Sequence, residues 1–312
     1  MPDAVLLLAH GTPDVVEEIP EYLSRVTGGR PLPEAVVHEV SHRFSAIGGS
    51  PLTRITLEQG RLLQRELGLP VYVGMRNWKP YIADVVARMR ADGITRAVVI
   101  CLAPQNSRTS VGLYRQAVFA AAEHSMELRF LSDWADHPLL IEAFAENLRA
   151  TRLPFAAEAG ASVPVLFTAH SVPCRTILTP PQLDHHLPPE PPDPYPVEAK
   201  LTASLVARRL GLSDDEWFFA FQSQGMSGGP WLGPTVEETL TALREQGVTH
   251  LVLQPIGFLC DHVEILYDID IAFQQHAASL GIALRRPASL NDSRLLTLAL
   301  ADLARLSLER EL

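Results

Sequence analysis

Three carboxylates, Asp261, Glu264 and Asp268, sit at spacings of three, four and seven in the stretch GFLCDHVEILYDID, residues 257–270. Positions so spaced share one face of a helix. The stretch follows the apolar run 250–255, so the acidic stripe is expected where a strand ends and a helix begins. A second loaded strand end reads VLFTAHSVP over residues 165–173, with His170 closing the apolar run. A histidine and a carboxylate brought to one cleft can bind a divalent metal, move a proton, or do both. Each also has a structural reading. A strand-end histidine can be satisfied by a backbone carbonyl, and position alone does not separate the two cases. Asp261-His-Val-Glu264 fits a capping box, with Asp261 capping the helix and Glu264 reaching back to the cap's N–H. On spacing alone the box is the better account, although it leaves Asp268 unexplained.

Other groups suit anions. Arg43 and Phe44 precede a Gly48-Gly49-Ser50 turn, and Ser107-Arg108-Thr109-Ser110 follows the apolar run 97–103, with Tyr114-Arg115 one turn further on. Hydroxyls and arginines at a helix start favour ligand carboxylates, and surface solvation explains any one of them equally well. The glycines form neither a dinucleotide fingerprint nor a phosphate loop. Cys101, Cys174 and Cys260 are few and widely spaced with no CxxC pair, so no zinc knuckle or iron–sulfur cluster is expected. Cys260, beside the acids, reads as small buried filler. His185-His186 stands in a proline-dense stretch and is read as solvated.

The elements that must carry these groups alternate. Apolar runs near 4–9, 71–75, 97–103, 163–169, 217–222, 250–255 and 282–286 read as buried strands, separated by stretches of helical period. Ser50-Pro51 reads as a serine cap and first-turn proline, opening a helix over 52–67 that stops at Gly68. LPPEPPDPYP, residues 187–196, reads as a stiff surface loop leading into a helix over 197–210. PYIADVVARMRADGIT (80–95) aligns without gaps to PTVEETLTALREQGVT (234–249), and each runs from helix through a glycine stop into a strand. Ala9-His10-Gly-Thr-Pro13 likewise echoes Ala169-His170-Ser-Val-Pro173. The expected fold is α/β: two similar Rossmann-like lobes, 1–155 and 156–312, each a parallel four-stranded sheet flanked by helices. The site would lie in the cleft between them, lined by strand ends.

Of the 312 residues, 47% are hydrophobic, which allows a substantial core. The net charge of −10 argues against nucleic-acid binding and against docking on an anionic membrane. No apolar run approaches the ~20 residues that span a bilayer, and the start lacks signal-peptide features, so the chain is read as cytoplasmic.

With these residues in place, the chain resembles the ferrochelatases, which insert ferrous iron into a porphyrin during haem synthesis. The resemblance runs from about residue 4 to 310 and rests on LLLAHGTP, RFSAIGGSPL, VGMRNWKPYIADVV, FTAHSVP, DPYP, PWLGP and GFLCDHVEILYDID. Within the family, PWLGP and the compact length are most similar to the bacterial branch that metallates coproporphyrin III. The resemblance implies a class II chelatase fold, with His170 and Glu264 facing each other across the porphyrin cleft as the catalytic and iron-handling pair. Arg43, Phe44, Ser50 and Tyr114 match positions that hold the macrocycle or its propionates. Thr27 stands where relatives often have a basic residue. His10 stands where the nearest bacterial relatives have a tyrosine that can ligate the iron axially, a role imidazole can also fill. Ala272 replaces an acid that often extends the stripe beyond Asp268. Iron and porphyrin are implied as substrates, with no prosthetic group and with transient contacts to neighbouring enzymes of haem synthesis. A protoporphyrin IX ferrochelatase or another tetrapyrrole chelatase is the alternative within the class. A non-catalytic tetrapyrrole carrier or sensor, suggested by His10 and Ala272, is the alternative outside it.

Overall fold

The computed structural model describes residues 3–178, 191–225 and 229–309. The His185-His186 pair and residues 187–190 of the proline-dense stretch lie outside them. Eight strands form two parallel four-stranded sheets: β1 (Asp3–Ala9), β2 (Val71–Met75), β3 (Arg96–Cys101), β4 (Glu127–Leu131), β5 (Val165–His170), β6 (Trp217–Gln222), β7 (His250–Pro255) and β8 (Ala283–Arg285). Their orders are β2-β1-β3-β4 and β6-β5-β7-β8, one topology used twice. The central strands are mostly apolar because both faces are covered. Residues 4–8 of β1 and 97–100 of β3 are fully buried, as a parallel sheet between helix layers requires.

The internal repeat is structural. Helix Ile82–Ala91 leads into β3, and helix Val236–Glu245 leads into β7. Each helix is approached by the same device, a backbone N–H on the preceding strand donating to a proline carbonyl: Met75 to Pro80 at 2.7 Å and Phe221 to Pro234 at 2.8 Å. Both central strands then end at a histidine, His10 just after β1 and His170 as the last residue of β5.

Three local expectations are corrected. Helix Leu52–Leu67 is capped by Pro51, not Ser50, and no side chain bonds its first turn. It does stop at Gly68, whose φ of 67° suits a residue without a Cβ. The later helix begins at Tyr195, earlier than expected, with Pro196 in its first turn, where the missing N–H costs nothing. A capping box does form, but at Thr235 and Glu238, with bonds of 3.1 and 2.9 Å.

A single apolar cluster joins the halves. It contains Val5, Leu7 and Ile100 of the first sheet and Phe167, Ala169 and Val252 of the second. Helices Pro138–Ala159, Tyr195–Arg209 and Arg294–Glu309 supply Leu140, Phe144, Val206, Leu296 and Leu300 to it. The last helix returns to the first half, where Arg294 pairs with Glu66 at 2.7 Å.

Candidate active site

His170 and Glu264 meet. His170 Nε2 lies 3.6 Å from Glu264 Oε1, and about a third of each side chain remains exposed, 34% and 36%. The ring is fixed from behind by a hydrogen bond from Nδ1 to the Ser171 carbonyl. That bond places an N–H on Nδ1 and turns Nε2 to the acid, where its proton in the imidazolium form faces the carboxylate. The strand end is held in turn by the Tyr195 hydroxyl, which donates to the His170 carbonyl at 2.8 Å, and by Ser171 N–H donating to Gln222 at 2.7 Å. Burial disfavours charge on His170, but Glu264 outweighs it, and the imidazole is held above its usual value of 6.5. Burial likewise works against the Glu264 carboxylate, and His170 with His262 overcomes it, so the acid stays well below its usual range.

His262 is a third member that sequence reasoning missed. Its Nε2 lies 3.7 Å from Glu264 Oε2, and its Nδ1 contacts the Cys260 carbonyl at 3.1 Å. The two histidines therefore repeat one arrangement, Nδ1 on a carbonyl and Nε2 on opposite oxygens of one carboxylate. The signal was present in Asp-His-Val-Glu, but reading that tetrapeptide as a capping box drew attention away from the histidine.

The capping box itself does not form. His262, with no side-chain cap bond, precedes the short helix Val263–Leu266. Asp261 instead turns away to the loop 286–291. It accepts from Ser289 Oγ at 2.7 Å and Asn291 Nδ2 at 3.0 Å, and lies 3.3 Å from Arg286. So Asp261 braces the segment and is not on a stripe with Glu264. Residues 268–273 then form a π-helical turn, with Ala272 N–H reaching the Tyr267 carbonyl at 2.9 Å. The wider turn breaks the 3.6-residue period on which the stripe was argued. Asp268 nevertheless faces the cleft region, accepting from Ser223 Oγ at 2.6 Å and from Arg43 at 3.1 Å. Burial and nearby Glu264 push its carboxyl up despite those two donors.

Arg43 thus spans the two halves. It sits on helix Glu34–Ala46, bonds Glu39 at 2.8 Å on its own helix, and lies 5.2 Å from the Tyr267 ring centre. Phe44 beside it is only 1% exposed. It packs with Ile19, Tyr22, Leu23 and Trp78, and Val263 from the second half closes on that cluster. Phe44 therefore backs the wall of the cleft.

His10 lies on the facing wall. Its Nε2 is 2.9 Å from the Tyr22 hydroxyl, and Asn77 Nδ2 is 3.2 and 3.1 Å from its two ring nitrogens. Gly11 lets the chain pass close beneath: its φ is 78°, and a Cβ there would come within 2.8 Å of Met75 Cβ. Burial, helped by Arg76, pushes the His10 imidazole down to about 4, against the opposing pull of Glu264. Tyr22 is pushed up by burial and by the same Glu264. An axial bond from His10 Nε2 to iron would have to displace the Tyr22 hydroxyl.

The remaining predicted residues are more structural. Ser50 is buried and accepts from Thr12 Oγ1 at 2.9 Å. Tyr114 is buried in the first half's core, with the Arg76 guanidinium 5.2 Å from its ring centre. Thr27 ends helix Ile19–Val26 and donates to the Ser24 and Arg30 carbonyls at 3.2 and 2.7 Å. Arg108 is no free anion site: its N–H donates to Asp193 at 2.8 Å and its guanidinium to the Ile177 carbonyl at 3.3 Å, riveting the halves together. Cys260 is pushed up to about 12 by burial and Asp261, so it stays a thiol.

A two-lobed α/β body with a histidine–carboxylate pair in its cleft defines the chelatase fold. Among solved structures it is similar to SirB from Bacillus subtilis with Fe3+, with a TM-score of 0.58 at 12% identity over 98% of this chain and 96% of that one. CbiX, the terminal enzyme for siroheme biosynthesis in denitrifying bacteria, gives a TM-score of 0.51 at 9% identity over 98% and 99%. At such identities the likeness is one of fold. Residues 2–308 match the ferrochelatase family. The ferrochelatase of Acidobacterium capsulatum is 68% identical over 311 residues, covering 98% of this chain and 95% of the relative. The coproporphyrin III ferrochelatase of Geobacillus thermodenitrificans is 32% identical over 318 residues, covering 98% and 96%. The chain belongs to the ferrochelatase family, porphyrin metal chelatases that insert iron. Among the described residues no helix is long and apolar enough to cross a membrane.

Proposed function

We propose that the protein inserts ferrous iron into coproporphyrin III, giving the iron-coproporphyrin. The observation that carries the reading is the 3.6 Å approach of His170 Nε2 to Glu264 Oε1, a pair open to the cleft and flanked by His262. Support for the substrate comes from relatives such as that of Geobacillus thermodenitrificans, named for coproporphyrin III and matched over nearly the whole of both chains.

A free-base porphyrin holds two inner N–H protons that must leave as iron enters. His170 and Glu264 bring one imidazole and one carboxylate, donors that bind Fe2+ and release it, as delivery requires. Because Nδ1 of His170 is occupied by Ser171, Nε2 serves either the metal or a proton, not both at once. His262, on the other carboxylate oxygen, supplies a second base, so a proton can pass along the acid while His170 meets iron. In the resting pair a proton held between His170 and Glu264 is exchanged for the cation. Arg43 meets a propionate carboxylate, exchanging Asp268 for the ligand, and Phe44 backs the wall that faces the ring. The proposed compartment is the cytoplasm, consistent with the three free cysteines, and cell fractionation tests it.

The test is anaerobic turnover with Fe2+ on coproporphyrin III, protoporphyrin IX and sirohydrochlorin. The highest kcat/KM is expected for coproporphyrin III. A preference for protoporphyrin IX overturns the substrate assignment, and a Soret change without metallation makes the chain a carrier.

A further inference from the structure

Gln222 closes β6 and reaches both members of the His170–Glu264 pair. It stands in register with His170 on the neighbouring strand. Its backbone carbonyl accepts from the Ser171 N–H at 2.7 Å, and the Ser171 carbonyl in turn holds His170 Nδ1. Its side chain serves the acid, with Nε2 donating to the Glu264 backbone carbonyl at 3.3 Å. The amide can face only one way. Thr168 Oγ1, buried on β5, donates to Gln222 Oε1 at 2.6 Å. Turning the amide over would set its oxygen against the Glu264 carbonyl, two acceptors with no proton between them. The series Thr168–Gln222–Glu264 therefore ties the segment of the acid to the strand that carries the histidine.

That segment needs a tie. Val263–Leu266 is four residues long with no side-chain cap, and isolated helices shorter than about 12 residues are marginal in water. The residue after Gln222 supplies a second hold, since Ser223 Oγ donates to Asp268 at 2.6 Å. Successive side chains of an extended strand point to opposite faces. Ser223 has left that conformation for the left-handed region, with φ of 59°, a strained backbone for a residue with a Cβ. The turn there lets two consecutive residues serve one segment.

We infer that Gln222 is a positioning residue that sets the spacing of His170 and Glu264, gauged from β5. At 1% exposure it is closed off from porphyrin and iron and acts only through the two residues it holds. A pair standing 3.6 Å apart is sensitive to such a gauge, because misplacing a reacting group by about 1 Å can lower a rate about 10²-fold. The inference deepens the functional reading above and rests on it.

The test compares Gln222→Met, which keeps the length and loses both hydrogen-bonding ends, with Thr168→Val and Thr168→Ser. Anaerobic insertion of Fe2+ into coproporphyrin III is followed at steady state. Gln222→Met should lower kcat by about 10- to 100-fold and leave the porphyrin KM within about twofold, because no ligand contact is lost. Thr168→Val frees the amide to turn and should lower kcat in the same sense, by less. Thr168→Ser keeps the hydroxyl and should keep the wild-type kcat. A kcat for Gln222→Met within about twofold of wild type overturns the inference, as does Thr168→Ser as slow as Thr168→Val. Crystal structures of wild type and Gln222→Met read the spacing without turnover. The separation of His170 Nε2 and Glu264 Oε1 should change by more than about 0.5 Å, the tolerance of a catalytic constellation, and an unchanged separation overturns the inference whatever the rates. Should Gln222→Met misfold by circular dichroism, the two Thr168 variants carry both measurements. Wild type that metallates no porphyrin sinks the functional reading, and the structures still decide the spacing. Wild type that metallates coproporphyrin III no faster than Gln222→Met sinks this inference alone.

Discussion

One carboxylate between two imidazoles sets the chemistry at the residue scale. Glu264 raises the His170 pKa against burial, while His170 and His262 lower that of Glu264, so in the absence of metal the pair is biased toward the imidazolium–carboxylate form. The sign follows from the partner: removing the negative charge removes the preference for imidazolium. In Glu264→Gln the His170 ring should therefore titrate lower, where burial alone would place it. Nitrogen-15 NMR of the metal-free protein measures this, and an unchanged titration would show that the two groups are not coupled. Iron insertion needs the neutral ring, so its rate in wild type should climb as pH passes the His170 value. His170→Ala and Glu264→Gln should each lower metal insertion by roughly 10²–10⁴-fold, the usual contribution of a positioned base, with unchanged circular dichroism. Near-wild-type turnover from either variant would remove it from the reaction. The pair was legible in the sequence because each residue closes or follows an apolar strand. His262 was hidden because its tetrapeptide also spells a helix cap.

At the scale of elements, the strand that escaped the sequence is informative. β4 reads Glu-Leu-Arg-Phe-Leu, and all five residues are only partly buried at the edge of the sheet. An edge strand lacks the unbroken apolar run that marked the buried ones, so the same signal that located seven strands could not locate it. The acidic stripe failed for a different reason. Its period presumed an α-helix, whereas the chain makes one short helix and then a π turn, leaving Asp261 on a brace and Asp268 at the cleft. Nothing in the residue types announces a π turn, since what differs is one hydrogen-bond register. The turn presents Asp268 to Arg43 on the opposing helix, and this contact closes the cleft between elements 225 positions apart. Arg43→Ala should raise KM for the porphyrin roughly tenfold, about one charged hydrogen bond, and leave kcat within about twofold. Steady-state kinetics decides: a fall in kcat with KM unchanged would place Arg43 in the chemical step.

The whole molecule repeats one four-stranded topology, and the repeat was readable as two aligned helix–strand segments and two strand-end histidines. What the alignment could not convey is how the copies are joined. Division at residue 155 falls inside helix Pro138–Ala159, and the core cluster draws on both sheets. In isolation the first half would expose Leu63, Leu140, Phe144 and Leu148, and the second would expose Val206, Leu296 and Leu300, all at most 1% exposed in the intact chain. Each such side chain is worth about 1.5–3 kcal/mol on full burial. Losing three or four therefore cancels much or all of the ~5–15 kcal/mol that keeps an ordinary domain folded. The proposed lobes 1–155 and 156–312 are thus expected to behave as halves of one folding unit. Expressed separately, neither should give a dispersed NMR spectrum or a cooperative thermal transition, while the intact chain should unfold in a single step. A half that melts cooperatively by itself would show that the shared cluster contributes little. The two halves would then be held mainly by polar contacts such as Arg43–Asp268, Arg108–Asp193 and Arg294–Glu66.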